Sequence, residues 1–195
     1  MHKQTLSRLA LSVLVLTGAT AAQAADPVQW TLGSGGNGHY YLYVDNNVTW
    51  QDALAAASTM TWAGLQGHLA TITSAGEDNF AGATAAGGRL AWIAASDDGH
   101  EGSWTWRAGP ENGQALTYFN WSPGEPNNCC NGENYVHLNW GAGGSWNDHG
   151  GPGNNINQAN GYLVEFSAPV PEPTSALLSA LGLGALVVRR RLQSR

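Results

Sequence analysis

The sequence predicts an α+β domain, and three observations lead to this prediction. Two helix starts with capping residues lie in the first half of the chain, and the core after residue 90 consists of short strand and turn segments. The 195 residues also include 26 glycines and 9 tryptophans. Glycine-rich loops among many aromatic residues indicate a compact domain, because disordered segments lack aromatic side chains. No internal repeat is visible, so we expect two helices followed by β-hairpins and long loops.

The elements follow in chain order. Residues 39–44 are aromatic and β-branched, which predicts the first strand. Thr49 can cap an alanine-rich helix that ends before Gly64, and residues 68–73 alternate as a second strand. Ser74 and Glu77 have the spacing of a capping box, which starts a second helix running towards Gly87. The later predicted strands are 90–94, 103–107, 133–139 and 162–166.

The charge of the central segment excludes several classes of partner. Between residues 26 and 170 only Arg89 and Arg107 are basic, against 13 acidic residues, a net charge of −11. A surface this acidic repels phosphate, so nucleic acids and anionic lipid surfaces are excluded as partners. The same charge favours hard cations.

The first 24 residues have the pattern of a secretory signal peptide. Lys3 and Arg8 form a basic region, residues 9–17 are apolar, and Ala22-Gln23-Ala24 supplies a small-residue cleavage site. The alternative is a helix of the core. Export is the expectation, with residues 1–24 as signal peptide and 26–168 as the folded domain.

Residues 170–195 have the pattern of a second targeting signal. Pro171-Glu172-Pro173 precedes an apolar stretch, 175–188, and an arginine cluster, 189–191. The stretch covers about 21 Å at ~1.5 Å per residue, short of a ~30 Å hydrocarbon core. This order resembles a PEP-CTERM sorting signal. The resemblance implies a Gram-negative bacterium, a transient tether to the inner membrane, cleavage by an exosortase-type peptidase, and delivery to the cell surface or extracellular matrix. The alternative is a plain tail anchor.

Oxygen-bearing side chains cluster between residues 120 and 148. All of the leading candidates present oxygen and none is a soft ligand, which favours Ca²⁺ over zinc or copper. They are Glu125, Asn127, Glu133, Asn147 and Asp148. A cis peptide bond before Pro126 would let Glu125 and Asn127 aim at one ion, and we expect that isomer.

The core resembles the C-type lectin domain over residues 39–166. The motifs that carry the resemblance are Gly67-His68-Leu69-Ala70-Thr71-Ile72, Ser74 with Glu77 and Phe80, Ala91-Trp92-Ile93-Ala94, Glu101-Gly102-Ser103-Trp104-Thr105-Trp106, Glu125-Pro126-Asn127, Trp146-Asn147-Asp148 and Gly161-Tyr162-Leu163-Val164-Glu165-Phe166. The resemblance implies two helices packed on small antiparallel sheets with a long calcium-binding loop region.

The resemblance also implies a sugar site. In sugar-binding members the residues matching Glu125, Asn127, Glu133 and Asn147, together with Asp148, hold the calcium ion. The first four also bind the sugar, two of whose vicinal hydroxyls complete the coordination. Glu-Pro-Asn goes with mannose, glucose and N-acetylglucosamine in this family. An auxiliary calcium site is implied near Asp97, Glu101, Asn128 and Asn134, with an ordinary polar loop as the alternative.

The chain departs from the family in its cysteines. Two disulfides are usual, but Tyr135 and Val164 stand where half-cystines are expected, and the helix near Ala57 has no thiol. The two cysteines present, Cys129 and Cys130, are adjacent. A vicinal disulfide, unpaired thiols and a bond between chains remain open, and zinc with His137 or His149 is disfavoured because the spacing fits no familiar site.

The function expected from the sequence is that of a secreted lectin that binds a carbohydrate, either a glycan or an exopolysaccharide. The alternative is a protein-binding or structural matrix module on the same fold. A glycosidase with Asp97 and Glu101 as paired carboxylates is disfavoured, since no nucleophile–base pair is apparent. We therefore expect no enzymatic activity. The glycine- and asparagine-rich segment 149–161 borders the site and could alter access to it.

Overall fold

The computed structural model describes residues 25–150, 159 and 161–169. The predicted signal peptide, residues 1–24, and the predicted sorting tail, residues 170–195, lie outside this part of the chain. So does most of the segment 149–161. Within the described ranges, no helix combines the length and the apolar character needed to cross a bilayer.

Both predicted helix starts are confirmed by their capping bonds. Helix α1 is Trp50–Thr59, and the Thr49 hydroxyl accepts a hydrogen bond from the backbone N–H of Asp52 at 3.1 Å. Helix α2 is Ala75–Asn79, and the Ser74 hydroxyl accepts from the N–H of Glu77 at 3.3 Å. The α-helical geometry ends earlier than the predicted Gly87, and a π-helical segment, Phe80–Ala85, continues it.

In the described part of the chain nine strands accompany the helices, and several of them are only two residues long. In chain order they are β1 Val28–Gln29, β2 Tyr40–Val44, β3 Thr61–Trp62, β4 Leu65–Leu69, β5 Ala91–Ser96, β6 Thr105–Trp106, β7 Tyr135–Leu138, β8 Asn147–His149 and β9 Gly161–Phe166. Single 3₁₀ turns lie at Leu32–Ser34 and Ala142–Gly144.

The strands form one connected sheet, which confirms the α+β class but corrects the expected sheet arrangement. The main order is β1-β2-β9-β5-β7-β8, with β4 joining β9, β3 joining β4, and β6 joining β5. The expectation was small antiparallel sheets. In the structure β5 and β9 run parallel, and this pair connects the first half of the sheet to the half that carries the loops.

The strand predicted at residues 68–73 has the wrong bounds, since β4 is Leu65–Leu69 in the structure. Two buried carboxylates take the backbone donors that follow. The N–H of Thr71 donates to Glu165 Oε2 at 3.1 Å, and the N–H of Thr73 donates to Glu77 Oε2 at 2.7 Å. These donors are therefore not available for a strand ladder, and the chain leaves the sheet.

Side-chain packing holds the positions at which the resemblance led us to expect half-cystines. The Tyr135 ring stacks on Trp50 of α1 with centroids 4.6 Å apart, and its hydroxyl accepts from Gln51 Nε2 at 2.6 Å. Ala57 and Val164 are both fully buried. The apolar core thus ties α1 to β7 and β9 without a covalent link, through burial of aromatic and aliphatic surface.

Candidate functional site

The candidate ion site lies where the long loop meets β8. The backbone of Trp121 forms a parallel bridge with Trp146, the residue before β8, and the N–H of Ser122 donates to the Trp146 carbonyl at 2.8 Å. A turn then brings the N–H of Glu125 to the Ser122 carbonyl at 2.9 Å. The predicted cis bond between Glu125 and Pro126 is present. These contacts place Glu125 beside the strand that carries Asp148.

Asp148 fixes the start of the loop with both carboxylate oxygens. Its Oδ1 accepts from the N–H of Asn127 at 3.2 Å, and its Oδ2 accepts from the N–H of Asn128 at 2.9 Å. The Asp148 side chain is fully buried on β8. A buried carboxylate requires such partners, because burying a charge without them is costly.

Glu133 fixes the end of the same loop. Its Oε2 accepts from the N–H of Cys129 at 3.1 Å, and its Oε1 lies 2.9 Å from His149 Nδ1. The N–H of Glu133 in turn donates to Asn128 Oδ1 at 2.8 Å. Glu133 is only 3% exposed, so its carboxylate is held from two sides.

Glu125 has a buried oxygen with no partner in the described part of the chain, Oε2. The pKa of this carboxyl lies above its usual range, because burial disfavours the charged form and because the carboxylates of Asp148 and Glu133 lie nearby. The unpaired oxygen of Glu125 and the carboxylates of Asp148 and Glu133 are hard oxygen donors, the type of ligand that a divalent cation such as Ca²⁺ prefers.

Asn147 makes a different contact from the other four predicted ligands. Its side-chain nitrogen is 3.4 Å from Nε2 of His137, the residue opposite it on β7, and both residues are buried. Within the described residues no hydrogen bond joins Asn147 to Glu125, Asn127, Glu133 or Asp148. The structure therefore brings four of the five predicted ligands into one hydrogen-bonded or electrostatic group.

The residues of the expected auxiliary site are only loosely gathered. Asp97 is fully buried, and burial, together with the charges of Glu101 and Asp148, raises its pKa to about 6. Its Oδ2 accepts from the N–H of Gly102 at 2.8 Å, while Oδ1 has no partner among the described residues. Glu101 is exposed, and the carbonyl of Asn134 accepts from the N–H of Asp97 at 3.2 Å. Asn128 uses its side-chain oxygen for Glu133, as described above.

A metal ion can also be held by a cluster built only of carboxylates, histidines and cysteines. In residues 25–150 and 161–169 no group of three or more such side chains is placed to hold a metal ion. The ligand set expected from the sequence also includes the amide oxygens of Asn127 and Asn147. That mixture is typical of calcium and unlike a zinc site.

The structure joins Cys129 and Cys130 in a disulfide. This bond leaves neither sulfur as a thiolate for zinc. His149, one of the histidines considered beside them, contacts Glu133 instead. Sequence reasoning missed this contact and the one between His137 and Asn147, since neither follows a motif. Both depend on the pairing of β7 with β8, which sets Tyr135 opposite His149.

Two family models match the chain. Residues 46–155 match the family model of the lectin C-type domain, and residues 169–191 match the PEP-CTERM protein-sorting motif. Halomucin of Haloquadratum walsbyi is 37% identical over 139 residues, which are 67% of this chain and 1% of halomucin. The chain spans well under half the length of several curated relatives that it matches.

Two solved structures are similar to most of the described part. The C-type lectin CEL-I from Cucumaria echinata has a TM-score of 0.55 and 26% identity, covering 67% of this chain and 90% of CEL-I. The cow carbohydrate-recognition domain of CD23, solved in the presence of a GlcNAc2Man3 oligosaccharide, has a TM-score of 0.53 and 28% identity. That match covers 67% of this chain and 89% of the CD23 domain.

Proposed function

The chain belongs to the C-type lectin domain family, and from this premise we propose that it is a secreted, calcium-dependent carbohydrate-binding protein. The observation that carries the proposal is the buried, unpaired Glu125 Oε2 beside the carboxylates of Asp148 and Glu133. An anionic oxygen in that position favours a cation, because Oε2 itself has no hydrogen-bond partner among the described residues and two further carboxylates lie nearby.

The proposed calcium ligands are the carboxylates of Glu125, Glu133 and Asp148 with the amide oxygens of Asn127 and Asn147. When bound, Ca²⁺ supplies a Lewis-acidic centre with open positions for two sugar hydroxyls. The carboxylates of Glu125 and Glu133 would accept the protons of those hydroxyls, and the amides of Asn127 and Asn147 would donate N–H groups to the sugar and offer their oxygens to the ion. Asp148 and Glu133 would hold the ion in fixed orientations, since backbone N–H groups and, for Glu133, the His149 ring already hold their carboxylates.

We propose mannose, glucose or N-acetylglucosamine as the sugar class. The proposal rests on the Glu125-Pro126-Asn127 motif and on the similarity to the CD23 domain solved with a mannose- and N-acetylglucosamine-containing oligosaccharide. A shallow site of this kind binds a single sugar weakly, so retention on a surface gains from several copies acting together.

We also propose that the domain binds its sugar without cleaving it. Asp97 and Glu101, the carboxylates considered for glycosidase chemistry, differ in their surroundings: Asp97 is buried and bonded to Gly102, and Glu101 is exposed. Turnover of a chromogenic glycoside by the purified chain would contradict this part of the proposal.

The sorting motif implies export and exosortase processing, with delivery to the surface or extracellular space. We propose that the tail first tethers the chain transiently at the inner membrane and is then cut near Pro171. Mass spectrometry of the mature chain recovered from the cell surface tests the cut. A mature chain that retains the arginines at 189–191 would contradict it.

The test of the lectin proposal is retention of the full chain, in mild detergent, on a mannose resin with calcium, followed by elution with EGTA. We expect retention that depends on calcium. Glu133→Gln removes one proposed ligand charge and should weaken calcium binding by at least about 10-fold. Asp45→Asn is the matched control, since it removes the same charge from a side chain that is 76% exposed.

The outcomes separate the two candidate functions. Calcium binding without retention on mannose, glucose or N-acetylglucosamine resins would favour a protein-binding or structural module. Unchanged sugar retention in Glu133→Gln would contradict the site itself.

A further inference from the structure

The loop between two proposed calcium ligands contains a disulfide that the sugar site does not explain. Cys129 and Cys130 are the only cysteines of the chain, and they lie between Asn127 and Glu133. Cys130 is exposed and Cys129 is partly buried, so a small reductant can reach the bond. A bond between adjacent residues cannot tie distant segments together, so any effect it has is on this loop.

The backbone of Cys129 contacts both neighbouring ligands directly. Its N–H donates to Asn127 Oδ1 at 2.9 Å and to Glu133 Oε2 at 3.1 Å. One donor therefore sets the spacing between two oxygens that are proposed to bind the same ion. Each oxygen keeps a free lone pair for the metal. Partners of this kind typically change metal affinity 10- to 100-fold when they are removed.

The backbone around the disulfide has an uncommon conformation. Asn128, Cys130 and Asn131 have φ angles of 48°, 60° and 78°, in the left-handed region that non-glycine residues seldom adopt. All three residues are exposed, so the core does not hold them in place. A ring that covalently closes Cys129 on Cys130 removes many of the alternative conformations of the open chain.

We infer that the Cys129–Cys130 disulfide is a positioning element of the ion site and that its reduction weakens calcium-dependent sugar binding. The inference rests on the proposed function. In the reduction a dithiol supplies two electrons and two protons: the S–S bond breaks, each cysteine becomes a thiol, and the dithiol is oxidised to its own disulfide. The loop then samples conformations in which the Cys129 N–H no longer spans Asn127 and Glu133.

The experiment compares three samples of the full chain in mild detergent: oxidised, reduced with dithiothreitol, and the double variant Cys129→Ser with Cys130→Ser. Calcium affinity is measured by isothermal titration calorimetry well below the melting temperature, and thiols are counted in each sample. We expect the reduced chain and the variant to bind calcium about 10-fold more weakly than the oxidised chain. Reoxidation should restore the affinity of the reduced wild type, and reductant should not change the affinity of the variant.

The outcomes distinguish a failure of the disulfide inference from a failure of the lectin proposal. Equal affinity in the oxidised and reduced chains would overturn the inference and leave the lectin proposal standing. An oxidised chain that binds no calcium would overturn the lectin proposal and the inference with it. Two free thiols in the chain as exported would also overturn the inference. A lower melting temperature in EGTA with an unchanged calcium affinity would show that the bond stabilises the loop and nothing more.

Discussion

At Asn127 the chemical requirements of the proposed ion and of the proposed sugar can be separated. Its amide presents an oxygen, which suits calcium, and an NH₂, which suits a sugar oxygen. Its Oδ1 already accepts from Cys129, and its backbone N–H is held by Asp148, so the side chain has a defined position. A carboxylate in its place would keep the ion ligand and lose the donor.

We therefore expect Asn127→Asp to retain calcium binding within a few-fold and to lose most retention on mannose resin. Calorimetry with calcium and chromatography on the resin measure the two effects independently. Asn131→Asp is the control, because it places the same charge at an exposed position in the same loop. Equal mannose retention in Asn127→Asp and the wild type would contradict the proposed role of this amide.

His39 forms a second polar contact of interest, away from the ion site. Its Nδ1 lies 2.6 Å from Oε1 of Glu165, which is 2% exposed. Burial lowers the pKa of His39, but the hydrogen bond and charge of Glu165, with the charges of Glu77 and Glu111, outweigh it and raise the pKa above its usual value. The folded chain thus binds this proton more tightly than the unfolded chain does.

The sign of the pH dependence follows from that difference. The stabilising contribution of His39 is complete below the unfolded pKa of about 6.5 and is lost as the pH rises through the folded pKa. We expect His39→Gln to lower the free energy of unfolding by about 1–3 kcal/mol at pH 5.5 and by less at pH 8.5.

Urea denaturation of wild type and variant at both pH values measures this. His100→Gln, at an exposed position, is the control and should show no such change. A larger effect at pH 8.5 than at pH 5.5 would contradict the prediction.

Helix α1 packs directly against β4 and β9, and no disulfide joins Ala57 of the helix to Val164 of β9. Gly67 of β4 lies against both partners: a Cβ there would meet the Ala57 carbonyl oxygen at 2.9 Å and Val164 Cγ1 at 3.0 Å. Its N–H also donates to the Met60 carbonyl at 2.8 Å. The absence of a side chain at residue 67 therefore allows the helix to approach the sheet closely.

Gly67→Ala should lower the free energy of unfolding by about 1–3 kcal/mol, because the added methyl group forces the helix or the strand to shift. Thermal or urea unfolding measures the loss. Gly33→Ala is the matched control, since a Cβ at Gly33 has no heavy atom within 4 Å. Equal stability of the two variants would show that α1 and the sheet pack less closely than described.

At the scale of the whole molecule, the proposed ion site joins segments that are distant in sequence. Glu125 and Glu133 lie on the long loop, and Asp148 lies on β8, the last strand in the order of the sheet, next to β7. A cation bound by all three stabilises the folded chain by mass action, since the unfolded chain does not keep them together.

We expect calcium at about 100 times its dissociation constant to stabilise the fold by ~2.7 kcal/mol. For a domain of this size that raises the melting temperature by about 5–10 °C. Thermal unfolding in EGTA, calcium and magnesium tests this, and magnesium should have a smaller effect because it demands a more regular coordination shell. An unchanged melting temperature in calcium would count against the ion site.

The sequence by itself determined features that depend on residues close along the chain. Thr49 and Ser74 cap helices because each hydroxyl reaches an N–H three residues later. The donor chemistry of the loop and the sorting motif at 169–191 were also visible in the residue types. Such features need no information about which distant segments pack together.

Only the tertiary structure decided features that depend on long-range contacts. The parallel pairing of β5 with β9, the end of β4 at Leu69 and the contact of Asn147 with His137 all involve partners from remote parts of the chain. Local propensity is silent about such partners, because their energies come from burial and hydrogen bonds that form only once the segments have met. The same reason explains why the sequence suggests the residue types of the proposed ligands and does not give the orientation of their side chains.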